Sequence, residues 1–132
     1  MKNTLKAVFV DPYKGIGSAY IGTVDNDWRS ITQALGCDWM EVVCRRFGGK
    51  AYTIICDEEG LLKEHNRDKI SIATGSNNDE IIEVIVGKVL ICKTKGDNFQ
   101  SLNKSDIELI LNQKVVIFGS DGKPRYALKC TI

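Results

Sequence analysis

The chain has no apolar run approaching the roughly 20 residues that a membrane-spanning helix requires. Its first residues, Met1-Lys2-Asn3-Thr4-Leu5-Lys6, lack the apolar stretch and small-residue cleavage site of a secretory signal. Charge of one sign is not in excess either: 18 Lys and Arg stand against 17 Asp and Glu, a net charge of +1. A protein that mimics nucleic acid must present a dense field of carboxylates, which a near-neutral chain does not supply. Equally, non-specific nucleic-acid binding is no default for a chain so weakly basic. Among five cysteines (Cys37, Cys44, Cys56, Cys92 and Cys130) no two form a C-x-x-C pair. An odd number at these spacings fits neither a disulfide framework nor a zinc site. Four of them alternate with Val, Ile or Leu, the pattern of small buried hydrophobes in a reducing compartment. Internal repeats, linkers and low-complexity segments are missing too. The expectation is a cytoplasmic protein, clear of the membrane, with no metal or other cofactor.

What remains is an ordinary globular composition, 43% apolar and 27% charged over 132 residues, enough for one domain with a single core. Residues 5–10 read as a strand stopped by Asp11-Pro12, because proline offers no donor and holds its predecessor extended. A loop, Tyr13-Lys14-Gly15-Ile16-Gly17-Ser18, and a strand near residues 19–24 would complete a hairpin. Asp25-Asn26-Asp27 supplies helix caps. Trp28, Ile31 and Leu35 then fall on one helical face, and Gly36 ends the helix. Residues 39–44 and 51–56 predict two strands joined at a tip of Arg45-Arg46-Phe47-Gly48-Gly49-Lys50. Residues 61–80 are polar and irregular, with a short strand at 69–73 and a turn at Gly75-Ser76-Asn77-Asn78-Asp79. Residues 81–93 are almost continuously apolar, as a strand covered on both faces would be, with Gly87 marking a bulge or a close backbone approach. Ser105-Asp106-Ile107-Glu108 predicts a capping box and a second helix. Residues 115–118 and 125–131 flank Gly119-Ser120-Asp121-Gly122-Lys123 as a C-terminal β-hairpin. The fold class is α+β, a mostly antiparallel sheet packed by two helices.

Several segments invite a chemical reading. Gly15-Ile16-Gly17-Ser18-Ala19-Tyr20 lacks the third glycine of a dinucleotide fingerprint and leads into a strand, so a hairpin turn fits better. His65, the one histidine, sits in a polar loop without a nucleophile near it in sequence; a Cys–His pair stays open. Asp57-Glu58-Glu59 has oxygen ligands for a cation, but contiguous acids in a turn diverge. The Arg45-to-Lys50 tip is the strongest candidate. Three cations around exposed glycine amides can hold a phosphate or carboxylate, Arg offers bidentate geometry, and Phe47 can stack or enter a pocket. The competing reading is a solubilising hairpin tip. Asn66-Arg67 adds a second planar donor set, with turn capping and pairing to Asp57 or Glu59 as the alternative.

Several pieces together carry a family resemblance: the strand ending in Asp11-Pro12, the helix before Trp39-Met40-Glu41-Val42-Val43, and Ile55-Cys56-Asp57-Glu58-Glu59-Gly60. Asn66-Arg67, Ile85-Val86-Gly87-Lys88-Val89-Leu90-Ile91 and Ser101-Leu102 complete them. The chain resembles the phage and mobile-element family of domains of unknown function catalogued as DUF3846, over residues of about 5–112. Residues 69–80 look like an insertion and residues 113–132 like an added hairpin. The resemblance implies a bacterial host cell and an accessory, anti-defence role; it brings no catalytic motif.

The expected function is therefore a non-catalytic accessory protein that binds a host defence protein or an anionic nucleotide-type ligand. Arg45, Arg46, Lys50 and Arg67 would contact the anion, with Asn66 beside them and Phe47 as anchor. One alternative is a nucleic-acid-binding accessory domain, which needs Lys114, Lys123, Arg125 and Lys129 to share a face with Arg45 and Arg46. Another is an enzyme with a reactive cysteine near His65. The apolar strand at 81–93 and the C-terminal hairpin each offer an edge for pairing in a homo-oligomer.

Overall fold

The structure is a computed structural model that describes residues 3–14, 19–66, 68–76, 78, 80–118 and 121–132, with Asn66 described by its backbone alone. Ten strands and two helices follow in the order β1 (Thr4–Val10), β2 (Ala19–Asp25), α1 (Trp28–Leu35), β3 (Met40–Phe47), β4 (Lys50–Asp57), β5 (Ile70–Gly75), β6 (Ile81–Val86), β7 (Val89–Lys95), β8 (Asn98–Gln100), α2 (Lys104–Leu111), β9 (Lys114–Phe118) and β10 (Pro124–Thr131). Short 3-10 turns at Pro12–Lys14, Gly60–Leu62 and Glu64–Asn66 fill the connections.

All strands belong to one sheet in the order β2-β1-β7-β4-β3-β10-β5-β6, with β8 on β7 and β9 on β10. It is a mixed sheet: β10 runs parallel to β5, and the other pairs are antiparallel. Leu128 pairs both with Ile72 of β5 and with Lys114 of β9, so those strands take opposite edges of β10. The α+β class holds, with two helices and a C-terminal hairpin.

The apolar stretch at 81–93 is two strands rather than one. Gly87, at φ 83°, turns the chain between them, a conformation that disfavours any residue with a Cβ. β6 pairs with β5, whereas β7 lies between β1 and β4. Val86 and Val89 are three residues apart and so no more than about 11 Å. Two strands at distant positions in the sheet thus meet end to end, and the sheet curls round until they do. The interior of that curl is one core, drawing Val8 from β1, Ile54 from β4, Ile72 from β5, Ile85 from β6, Ile91 from β7 and Leu128 from β10. α2 closes it with Ile107 and Ile110.

A second core lies on the outer face of β1, β4 and β7, where alternate residues Leu5, Ala7, Phe9, Ile55, Leu90 and Cys92 meet Ile31 and Leu35 of α1. Burying each of those two helix side chains contributes about 1.5–3 kcal/mol. The sequence placed this helix well. Asp27 caps it by accepting from the Ser30 amide, and Gly36 ends it at φ 66°. Trp28 is the exception on the expected apolar face, being half exposed and packed edge-on against Trp39. The second capping box sits earlier than expected. Asn103 is the N-cap and Asp106, not Glu108, is its reciprocal partner, because an asparagine side chain serves that position as well as serine.

Candidate functional site

The cationic tip does not exist as an open loop. β3 and β4 stay in register up to Phe47 and Lys50, so the turn is only Gly48-Gly49, with φ of 60° and 84°. Two successive positive φ values are what a tight two-residue hairpin turn demands. Arg45, Arg46, Phe47 and Lys50 therefore lie in strands, where neighbours alternate between faces. Arg45 and Arg46 point to opposite sides of the sheet and cannot converge on one anion. Arg45 grips Glu83 of β6 with Nη2 at 2.8 and 3.1 Å and donates Nη1 to the Cys44 carbonyl. Its side chain is only 15% exposed. Arg46 donates back to the Gly49 carbonyl at 3.2 Å. Phe47 is fully buried, edge-on to Tyr52 at 6.1 Å, and so presents no ring to a base or a partner. Arg67 and the side chain of Asn66 lie outside the described residues, as do Gly15–Ser18 of the glycine loop, Asn77, Asp79, Gly119 and Ser120.

Lys50 belongs to a cluster the sequence did not reveal. Asp106 is wholly buried, and each of its oxygens accepts twice. Oδ1 takes Lys50 Nζ at 2.7 Å and Tyr52 Oη at 2.7 Å. Oδ2 takes Lys93 Nζ at 2.9 Å and the Asn103 amide at 3.0 Å. Burial alone would raise the carboxyl's pKa, but these four donors override it and hold the group well below the ordinary range. The Tyr52 hydroxyl moves the other way, raised by burial and by its bond to the carboxylate. The cluster has no empty position for a ligand. It ties the β3–β4 hairpin and β7 to the start of α2.

Three of the five thiols, Cys56, Cys92 and Cys130, are buried. Burial pushes Cys56 and Cys92 up to about 12 and raises Cys130. Cys37 is raised by burial and by the nearby Asp57. A catalytic cysteine needs the opposite shift. His65 meets the ring of Tyr13, 6.2 Å between centroids.

Polar side chains do converge elsewhere, at one end of the sheet. β1 ends at Val10 and β4 at Asp57, while β7 begins at Val89 between them. Val10 pairs with Val89, and Ile55 with Leu90. Continuing both registers by a step or two brings Asp11 and Asp57 to either side of Lys88. A cleft of about 320 Å³ opens there, its polar lining made by Asp11, Tyr13, Asp57, Lys63, His65 and Lys88. Asp11 is 95% buried, with 5% exposure, and its Oδ1 accepts from the Tyr13 amide at 3.1 Å. Asp57 accepts from the Glu59 amide at 2.9 Å and from Lys63 through its other oxygen. That bond raises the Lys63 pKa against the opposing effect of burial. Burial and the Asp11 carboxylate raise the Tyr13 phenol. Lys69 stands 5.8 Å over the Tyr13 ring, opposite in kind to the His65 contact. Of the two lysines in this group, Lys63 is paired with Asp57, and Lys88 makes no hydrogen bond or ion pair among the described residues.

A neighbouring cleft of about 330 Å³ shares Asp57 but has different chemistry. Val43, Cys56 and Ile85 floor it, Glu41, Glu58 and Glu83 line its sides, and its Arg45 is already paired with Glu83. It repels anions. The four cations of the nucleic-acid reading are divided as well. Lys114 pairs with Leu128 and lies over Tyr126, on the face opposite Arg125 and Lys129, and Arg125 is bound to Asp121 at 3.0 Å.

Of the cleft residues, the sequence drew attention to His65 and Asp57, each for another role. The available signal was positional. Asp11, Asp57 and Gly87-Lys88 each terminate or interrupt an apolar strand. Residues 5–114 match a protein-family model described as a domain of unknown function, DUF3846, which ends on the first residue of β9. No curated protein and no solved structure matches the chain. No helix among the described residues is long and apolar enough to cross a membrane.

Proposed function

Since the chain belongs to the DUF3846 family, whose description names no activity, we propose from its geometry that it is a non-catalytic binding protein for a small anionic ligand of nucleotide type. The ligand sits in the cleft between Asp11 and Lys88, not at the Gly48-Gly49 turn. The observation that carries this is Lys88, the cleft's one unpaired lysine among the described residues, set beside an aromatic pair and a nearly buried carboxylate. A planar ring stacks on Tyr13 and His65, whose faces every base can use. Lys88, with Lys63 beyond it, receives the phosphate as a charge-assisted hydrogen-bond donor. Asp11 accepts from a sugar hydroxyl. The cleft volume is at the lower end of what small-ligand sites use, which fits one nucleotide unit.

An accessory, anti-defence role in a phage or mobile element, exercised in the bacterial cytoplasm, is part of this proposal and rests on the family resemblance alone. Sequestering a nucleotide-type signal is a form of it that needs no catalysis. Titration calorimetry against nucleoside mono- and diphosphates tests the binding reading. Saturable binding that K88E abolishes and R46E leaves intact supports it. Failure of every nucleotide to bind, or binding lost in R46E and retained in K88E, overturns it.

A further inference from the structure

We propose that the chain forms a two-fold homodimer by pairing β9 with the β9 of a second copy, which joins two β9–β10 hairpins into one continuous sheet. β7 has a partner on each side and offers no edge. β6 is terminal, but its pairing with β5 slips at Ile70/Ile72 and at Thr74/Gly75, and its Glu83 is held by Arg45. Bulges and charge are the devices by which proteins blunt an edge. β2 is terminal too, with Gly22 at its middle and Asp25 at its end, and glycine weakens a strand.

β9 is less guarded. Lys114-Val115-Val116-Ile117-Phe118 contains no Pro, no Gly and one charge, at its first position. It pairs with β10 alone among the described strands, which leaves a row of backbone donors and acceptors along its outer edge. Toward its turn, one face of the hairpin is also uncovered. Val116 stands opposite Tyr126, and Val116, Phe118 and Tyr126 are 50%, 72% and 41% exposed.

The pattern of β9 identifies the occupant as another copy of itself. Antiparallel pairing about a two-fold axis at Val116 sets Val115 against Ile117 and Lys114 against Phe118 of the second copy. The two lysines fall at opposite ends and do not meet, so no like charges are opposed. Each ammonium faces an aromatic ring, the environment Lys114 already prefers, 5.7 Å over Tyr126. A C2 interface requires this kind of self-complementarity. The exposed Val116, Phe118 and Tyr126 of the two copies then form one apolar surface across the new junction.

Sedimentation equilibrium of the full chain tests this. At about 100 µM, well above a micromolar dissociation constant, the wild type is expected to be a dimer. V116K and V116E each place like charges directly across the axis and are expected to weaken association at least tenfold. Position 116 is half exposed, so neither change has to be accommodated in the core. Mixing V116K with V116E in equal amounts is expected to restore the dimer, which a variant that merely fails to fold cannot do. A monomeric wild type, a dimer indifferent to V116K, or a mixture that stays monomeric overturns the proposal.

Discussion

Replacing Asp106 by Asn changes one atom and removes one charge, and the structure specifies the cost. Each carboxylate oxygen accepts two hydrogen bonds: Oδ1 from Lys50 and Tyr52, Oδ2 from Lys93 and the Asn103 amide. An amide keeps only one acceptor. Turned toward Lys93 and the Asn103 amide, its NH2 group faces two donors. Turned the other way it faces Lys50 and the Tyr52 hydroxyl, which can rotate to accept, so one or two bonds are lost and a donor is left pointing at an ammonium or amide. Hydrogen bonds to charged groups contribute about 1.5–3 kcal/mol each. Lys50 and Lys93 retain side-chain exposure of 52% and 30% and recover part of that from water. The net expectation is about 2–4 kcal/mol, a large share of a small domain's stability. Urea unfolding followed by tryptophan fluorescence at pH 7 measures it. The dependence on pH supplies a second reading. The folded carboxyl is held below its unfolded value of about 3.9. Its contribution is complete above that value and is lost as pH falls further, because the unfolded chain takes up a proton that the folded one refuses. D106N has no such proton, so the gap between wild type and variant should narrow below about pH 4. A destabilisation under about 0.5 kcal/mol at pH 7 would refute the assignment of Asp106 as the fastener between the β3–β4 hairpin, β7 and α2, since typical losses at such sites are several times that.

Other expectations follow from single residues. G48A should cost about 2–4 kcal/mol, the left-handed backbone penalty plus overpacking, because its Cβ would collide with the Leu109 side chain. G49A shares the positive φ but meets open space and should cost only about 1–2 kcal/mol; equal urea midpoints would contradict the packing argument. Thiol titration of the native protein at pH 8 should label Cys44 rapidly and Cys37 more slowly, leaving Cys56, Cys92 and Cys130 silent until unfolding. Fast labelling of Cys56, Cys92 or Cys130 in the native protein would favour the cysteine-enzyme reading. Y13A should weaken nucleotide binding roughly 10-fold or more through lost stacking, while F47A should act through stability.

The sequence disclosed elements more readily than their junctions. Asp27 and Gly36 mark the ends of α1 as their side chains and φ preferences require. The break at Gly87 was harder to read, because an apolar run of this composition satisfies one long buried strand or two short ones equally well. Only the positions of β1, β4 and β5 decide it. The same holds for the tip. Arg, Phe and Lys around two glycines look like a loop until the register of β3 on β4 is known, and that register carries Phe47 into the core. The cleft was legible only in outline, since Asp11, Asp57 and Lys88 are 46 and 31 residues apart in turn and meet through strand pairing. Asp106 was visible as a helix-start residue, but nothing local signals that two lysines and a tyrosine from other strands converge on it.

The proposed binding site is the cleft between Asp11 and Lys88. An amide nitrogen–proton correlation spectrum recorded while AMP is added, with inorganic phosphate as a parallel titrant, tests it directly. Saturable shifts are expected at Asp11, Tyr13, Lys63, His65, Gly87 and Lys88, larger with AMP than with phosphate, and none at Gly48 or Gly49. Shifts centred on the Gly48-Gly49 turn, or an unchanged spectrum at millimolar AMP, would contradict it.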